Sequence, residues 1–254
     1  MFGLDPWQFW TIFAVTAFAG FVKGAIGFAM PLIMASAFAS VLPPQTALAA
    51  LILPVLTTNV HQALRQGPAE AVRSIRNFRW HIAMVLVFLT LSAGLARQIP
   101  QGLMYALLGL PILGFALWQL AGRPLALPIH HRRRAEIATG VIGGLYGGIS
   151  GIWGPPLVVL LLSLGVPKQE QVRVQGVVFL LGAAGLTAAH LASGILNAQT
   201  IPLSAALCVP AFGGMLAGFA LQDRMDVAQF RRWTLILLVI TGLNLARRAL
   251  SDWI

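Results

Sequence analysis

Apolar residues run through this chain in long blocks, and the charged positions fall between them. Uncharged runs cover residues 6–22, 24–64, 98–122, 137–167 and 174–222, with 17, 41, 25, 31 and 49 residues. A helix needs about 20 residues to cross the hydrocarbon core, so the longest runs hold two crossings each. A membrane β-barrel would alternate apolar and polar residues over short segments, which these continuous runs exclude. Prolines, glycines and charges divide the chain into a first long segment (7–42) and spans near 44–64, 80–96 and 101–121. After a basic stretch the pattern restarts with a long segment (136–166) and spans near 169–193, 200–220 and 230–248. The pattern predicts an all-α integral membrane protein, a multi-pass helical bundle forming a single membrane domain over 1–254.

The restart is a repeat. A shift of 124 places Gly20, Gly24, Gly27, Pro31, Pro43 and Gln45 on Gly144, Gly148, Gly151, Pro155, Pro167 and Gln169, which is six identities in 26 positions. Five of the six are residues that determine backbone conformation. Repeat 1 is therefore expected over about 7–121 and repeat 2 over about 136–250, joined by the basic loop 122–135. Each long segment carries a Gly-rich interruption with apolar stretches of about a dozen residues on both sides. Such stretches are too short to cross alone and too long together for one straight span, so each segment is expected to be a broken helix or a re-entrant hairpin.

Charge distinguishes two arrangements. If each long segment crosses once, the Lys and Arg outside the membrane divide 10 to 6 between the two sides; if each goes in and returns, they divide 13 to 3, with Arg97, Arg247 and Arg248 the minority. The positive-inside rule favours the second count. It puts the loops at 65–79, 122–135, 167–173 and 221–232 in the cytoplasm and both termini outside. A returning segment plus three transmembrane helices is an odd number of crossings, so the two repeats are inverted relative to each other. Paired broken helices in inverted repeats are an architecture of secondary transporters, with the substrate site at the breaks near the bilayer midplane.

Composition agrees. The 254 residues are 58% hydrophobic and 9% charged, against about 25% charged in soluble domains, and mean hydropathy is +0.82. The net charge of +10 would suggest nucleic acid in a soluble protein; here it lies in short loops and reads as an orientation signal, so no nucleic-acid partner is expected. Asp5 stands where a signal peptide would be basic, so the first apolar segment is expected to stay in the mature protein. Cys208 is the only cysteine, which excludes an internal disulfide and any Cys-based metal site. No metal and no cofactor is expected.

The chemistry concentrates at the breaks. In the stretch GFVKGAIGFAMP (20–31), Lys23 is the only charge between Asp5 and Arg65. Holding a lysine deep in the bilayer costs about 2.5–3.5 kcal/mol, which a bound anion would offset. The alternative is a lysine that snorkels to the interface. Gly24 and Gly27 would let a ligand approach the backbone, whose freed N–H groups at a helix start favour anions. The second stretch, GLYGGISGIWGPP (144–156), has Gly147 in place of Lys23, so the site is asymmetric. There Gly148 and Gly151 flank Ser150, and Ser150 and Trp153 offer donors. Asn59, His61, Gln175 and His190 complete the candidate substrate-binding set as polar residues late in one span or within its partner. No Asp or Glu lies in the interior of the expected spans, Glu136 and Glu170 standing at the starts of theirs, which leaves His61, His190 and backbone carbonyls as candidates for coupling to a proton or sodium ion.

With these two motifs near the start of each half, the chain resembles the TauE/SafE family of sulfite and organosulfonate exporters, also called the sulfonate uptake permease family. The resemblance covers nearly the whole chain. It implies a multi-pass protein of the cell inner membrane that moves small sulfur-containing anions such as sulfite and sulfonates, in the export direction, and is not an enzyme. The expected partners are the anion, the lipid bilayer, a coupling ion and a second copy in a homodimer. Phe28, Ala29 and Met30, and Trp153 before Gly154, stand where the family's motif usually continues in glycines. Two readings compete with this one. GISG (148–151) and AHLASG (189–194) look like the serine and histidine motifs of rhomboid intramembrane proteases, with Ser150 as nucleophile and His190 as base; the alignment of Ile26 with Ser150 favours glycine spacing over catalysis. A non-transporting membrane subunit is the third reading.

Overall fold

The computed structural model describes residues 3–38, 40–93, 101–122, 131–150, 153–192 and 194–251. Among them the regular structure is helical: α1 (Pro6–Ile26), α2 (Met30–Phe38), α3 (Pro44–Leu64), α4 (Pro68–Asn77), α5 (Arg79–Ala93), α6 (Gln101–Leu120), α7 (Arg132–Ser150), α8 (Gly154–Ser163), α9 (Lys168–Ala192), α10 (Ile201–Arg224) and α11 (Val227–Ser251). Five of these, α1, α3, α9, α10 and α11, are long and apolar enough to cross a membrane. The chain is a multi-pass, all-helical membrane protein. Proline starts several elements, as its fixed φ and missing N–H favour: Pro6 opens α1, Pro44 opens α3, and Pro155 and Pro156 lie in the first turn of α8.

The predicted spans correspond to observed helices, and the breaks between α1 and α2 and between α7 and α8 fall inside the two Gly-rich stretches, with helices of unequal length on either side. α1 runs for 21 residues before it stops, about 30 Å at 1.5 Å per residue, and so is long enough to cross by itself. α2 has only nine residues. The cause is that Gly20 and Gly24 stay helical. A Cβ on Gly20 would collide with the Ala211 backbone, and one on Gly24 with the Met215 carbonyl. These glycines let α1 lie against α10 in backbone contact, reciprocated by Gly214 against Ala17 and Gly218 against Phe21. Small residues at such spacings drive helix association in lipid through close packing.

The helices form two compact units, and these do not coincide with the two halves of the sequence. One comprises Met1–Val72 and Val172–Asp226, the other Arg73–Gln171 and Val227–Ile254. The first holds α1, α2, α3, α9 and α10, with α10 packed on both α1 and α3. In the second, α5 packs on α7 through Gly140 and Gly144, α6 on α11 through Gly109 and Gly242, and α8 on α7.

Within the first unit the long segment folds back on itself. Gln8, in the first turn of α1, accepts the Asp5 N–H at 3.1 Å and donates to the Val41 carbonyl at 3.1 Å, so the chain after α2 has returned to the level where α1 began. Arg65 pairs with Asp223 at 2.7 Å. Arg173 pairs with Glu70 at 3.3 Å and donates to Gln66. The end of α3, the start of α9 and the end of α10 therefore share one end of the unit. A single crossing of the second long segment, which lies between the spans near 80–96 and 101–121 and α9, would have put Arg65 on the side opposite Arg173 and Arg224.

Candidate functional site

The α1–α2 break is built by two residues with positive φ. Gly27, at φ 92°, caps α1 with its N–H on the Lys23 carbonyl at 2.7 Å, and Ala29 has φ 75°. A left-handed alanine costs about 1–2 kcal/mol, a price accepted only where the surroundings fix the turn; Ala29 is buried between Phe28 and Met30. α2 then starts with Ile33 N–H on the Ala29 carbonyl at 3.0 Å.

Lys23 lies one turn before that break and is 1% exposed. Its Nζ donates to Thr58 Oγ1 at 2.9 Å and to Asn59 Oδ1 on α3. Thr58 in turn donates to the Pro54 carbonyl at 2.6 Å, which leaves its oxygen free to accept from the lysine. The ammonium is turned into the protein and not toward its surface. No carboxylate pairs with it among the described residues. The break lies near the C-terminal end of α3: Gln62, two residues before α3 ends, donates its Nε2 to the Gly27 carbonyl at 2.9 Å. The site thus sits toward the end of the unit that carries Arg65 and Arg173.

Gln62 Nε2 also donates to the Val172 carbonyl at 2.8 Å, tying α9 to the break. Gln175, fully buried one turn along α9, lies against Gly27: a Cβ there would collide with Gln175 Oε1. The absence of a side chain at Gly27 therefore serves both the turn and the glutamine. Gly24, by contrast, has its free space taken by α10 and leaves none for a ligand.

Pro54 gives α3 its own irregularity, since proline removes the N–H that would bond the Ala50 carbonyl. Ser204 of α10 fills the gap: its Oγ donates to the Ala50 carbonyl at 3.2 Å and accepts the Leu53 N–H at 3.1 Å. The polar ladder Thr58, Asn59, Gln62 follows this repaired turn.

His61 points to a different face of α3 from the Lys23 partners. It stacks on Phe219 with centroids 5.9 Å apart and meets Phe212 edge-on at 5.8 Å. With Thr57, Val60, Leu64, Arg65 and Phe212 it lines a cavity of about 590 Å³. The Arg65 guanidinium lies 3.9 Å from the centre of the Phe219 ring, a cation–π contact. His190 stands in the last turn of α9, and its carbonyl accepts the Leu196 N–H at 3.0 Å.

The second break belongs to the other unit. Trp153 is the N-cap of α8, and its Cβ would meet a Cβ on Gly147 at 3.0 Å. The position matching Lys23 is thus occupied by the tryptophan of its own break. For Gly148 and Ser150 only the backbone, at the end of α7, is described, and Gly151 lies outside the described residues. The structure gathers Lys23, Gly27, Asn59 and Gln175 into one cluster and adds Thr58 and Gln62. The signal for these two was their spacing, since Thr58 and Gln62 at i, i+4 share the helix face beside Asn59.

Comparison with curated proteins and with solved structures finds no match. A family model described as Sulfite exporter TauE/SafE matches residues 12–245, and the chain belongs to that family.

Proposed function

We propose that this protein exports small sulfur-containing anions, sulfite or sulfonates, across the cell inner membrane, and that the Lys23 cluster holds the anion. Lys23 carries the reading. It is a buried cation whose described partners are neutral, so Thr58 and Asn59 orient its N–H groups without balancing its charge. An anion beside it supplies the balance, and the first turn of α2, starting at the same break, adds the positive end of a helix dipole. Asn59, Gln175 and the Gly27 backbone complete the wall. The resemblance of Ser150 and His190 to a protease pair is not carried into this reading, because the family match is to exporters.

We take the two halves, about 7–121 and 136–250, as inverted copies joined by a cytoplasmic loop. In support, the shift of 124 carries Met30 and Pro44, the starts of α2 and α3, onto Gly154 and Lys168, the starts of α8 and α9. Gly20 and its counterpart Gly144 also face corresponding helices, α10 and α5. Alternating access would then use two similar halves around a site that only the first half equips with a cation.

The test is thermal-shift screening of the purified protein against sulfite, sulfonates, sulfate and carboxylates. A ligand that binds the folded state raises its apparent stability. Stabilisation by sulfite or sulfonates above carboxylates is expected, and no shift with any sulfur anion overturns the proposal. Uptake of labelled anion into inverted vesicles, and none into right-side-out ones, is expected for export.

A further inference from the structure

Gln62 and Gln175 stand beside Gly27 with more hydrogen-bonding capacity than the protein uses. Gln62 Nε2 donates to two backbone carbonyls, of Gly27 and Val172, which fixes the orientation of its amide. Its Oε1 is then a buried acceptor without a partner among the described residues. Gln175 is fully buried, and neither its Oε1 nor its Nε2 has a partner there. Whichever way that amide is turned, it presents one acceptor and one donor. Buried polar groups are otherwise nearly always bonded, so three such atoms around one glycine ask for something that binds them. They lie one helical turn from the lysine, because Gly27 follows Lys23 by four residues on α1 and Gln62 follows Thr58 by four on α3.

The count of donors and acceptors restricts the ligand. A fully deprotonated oxyanion brings acceptors only. It would suit Lys23 and the Gln175 N–H but would set its lone pairs against both glutamine oxygens. An anion that retains one O–H or N–H satisfies the cation and also donates to a glutamine. We infer that the Lys23 cluster selects singly charged sulfur oxyanions bearing a hydrogen-bond donor, hydrogen sulfite over sulfite and hydroxyl-bearing sulfonates over plain alkyl ones, with Gln62 and Gln175 as the selecting residues. This rests on the transport reading above. It also supplies a coupling route, since α1, α2 and α3 contain no Asp or Glu and hydrogen sulfite carries its own proton through the site. One proton and one anion then cross together, with no carboxylate relay.

Ethanesulfonate and 2-hydroxyethanesulfonate test this directly, because both are permanent monoanions and they differ by one hydroxyl. In calorimetric titrations of the full chain in detergent at a single pH, the hydroxylated anion is expected to bind about tenfold more tightly, the worth of one hydrogen bond to a buried partner. In Gln175→Met the difference between the two anions is expected to fall below about threefold. Equal affinities in the wild-type protein, or a difference that persists unchanged in Gln175→Met, overturn the inference and leave the glutamines as holders of buried water. Absence of binding by both sulfonates and by sulfite overturns the transport reading instead. The wild-type comparison needs no variant, so it stands even where Gln175→Met fails to fold.

Discussion

Arg65 and Asp223, 158 residues apart, meet at 2.7 Å, and the other guanidinium nitrogen of Arg65 donates to Gln222 at 2.6 Å. Because Arg65 follows α3 and Asp223 lies in the last turn of α10, the contact assigns both helix ends to one side of the membrane. Residues 66 and 224 are therefore expected on the same face and residue 198, between α9 and α10, on the other. In a Cys208→Ala background, an impermeant thiol reagent should label Gln66→Cys and Arg224→Cys from the cytoplasmic side and Ala198→Cys from outside. Labelling of positions 66 and 224 from opposite sides would break the shared end of α3 and α10 that the Arg65–Asp223 pair defines.

Ser204 is expected to matter for stability and not for substrate. It bridges the Ala50 carbonyl and the Leu53 N–H at the Pro54 turn. Ser204→Ala leaves a buried carbonyl unpaired, which should cost about 1–2 kcal/mol. Denaturant or thermal unfolding in detergent would register the loss while anion affinity stays within about twofold of wild type. A Ser204→Ala protein of wild-type stability would mean that a water or a neighbouring hydroxyl takes over the carbonyl.

Neighbouring glycines on α10 are predicted to respond oppositely to the same change. Gly214 meets the Ala17 carbonyl and the Phe21 N, whereas Gly213 faces open space within 4 Å. Gly214→Ala must push α1 away and should cost about 1–3 kcal/mol. Gly213→Ala should be neutral or stabilise by up to about 1 kcal/mol, as alanine does in a helix interior. Equal effects at the two positions would show that α1 and α10 do not pack through this seam.

Spans were legible in the sequence because apolar length and charge-free runs report burial from water directly. The break at Gly27 was legible too, from a proline four residues on. What the sequence could not distinguish was the work of one glycine from another. Gly20, Gly24 and Gly27 read alike, yet the first two pack against α10 and only the third has positive φ. α4 was hidden by its charges: Arg73 and Arg76 mark it as loop, while Ala71 and Ser74 give it a buried face at i, i+3, which buried Phe78 continues just past its end. The exchange of helices between the halves, α1 with α10 and α5 with α7, was out of reach because hydropathy says which face avoids water but not which helix covers it.

Lys23 yields the sharpest expectation. Its Nζ is held by Thr58 and Asn59, both neutral, so Lys23→Met removes a charge without stranding an opposite one. Methionine keeps the length and apolar fit, and Thr58 retains its bond to the Pro54 carbonyl. The ligand-free protein should be as stable as wild type or more so, because breaking a true buried ion pair is what costs about 3–5 kcal/mol. Anion binding should weaken by about tenfold to a hundredfold, the worth of one charged hydrogen bond. Lys23→Arg is expected to fail as well: Gly20 and Gly24 on the same helix are already in backbone contact with α10, and a wider guanidinium has no room to reach both Thr58 and Asn59. Calorimetry with sulfite on the three proteins, alongside their thermal unfolding, separates the cases. Unchanged affinity in Lys23→Met would take the lysine out of the site; lost stability with unchanged affinity would make it a structural residue that ties α1 to α3.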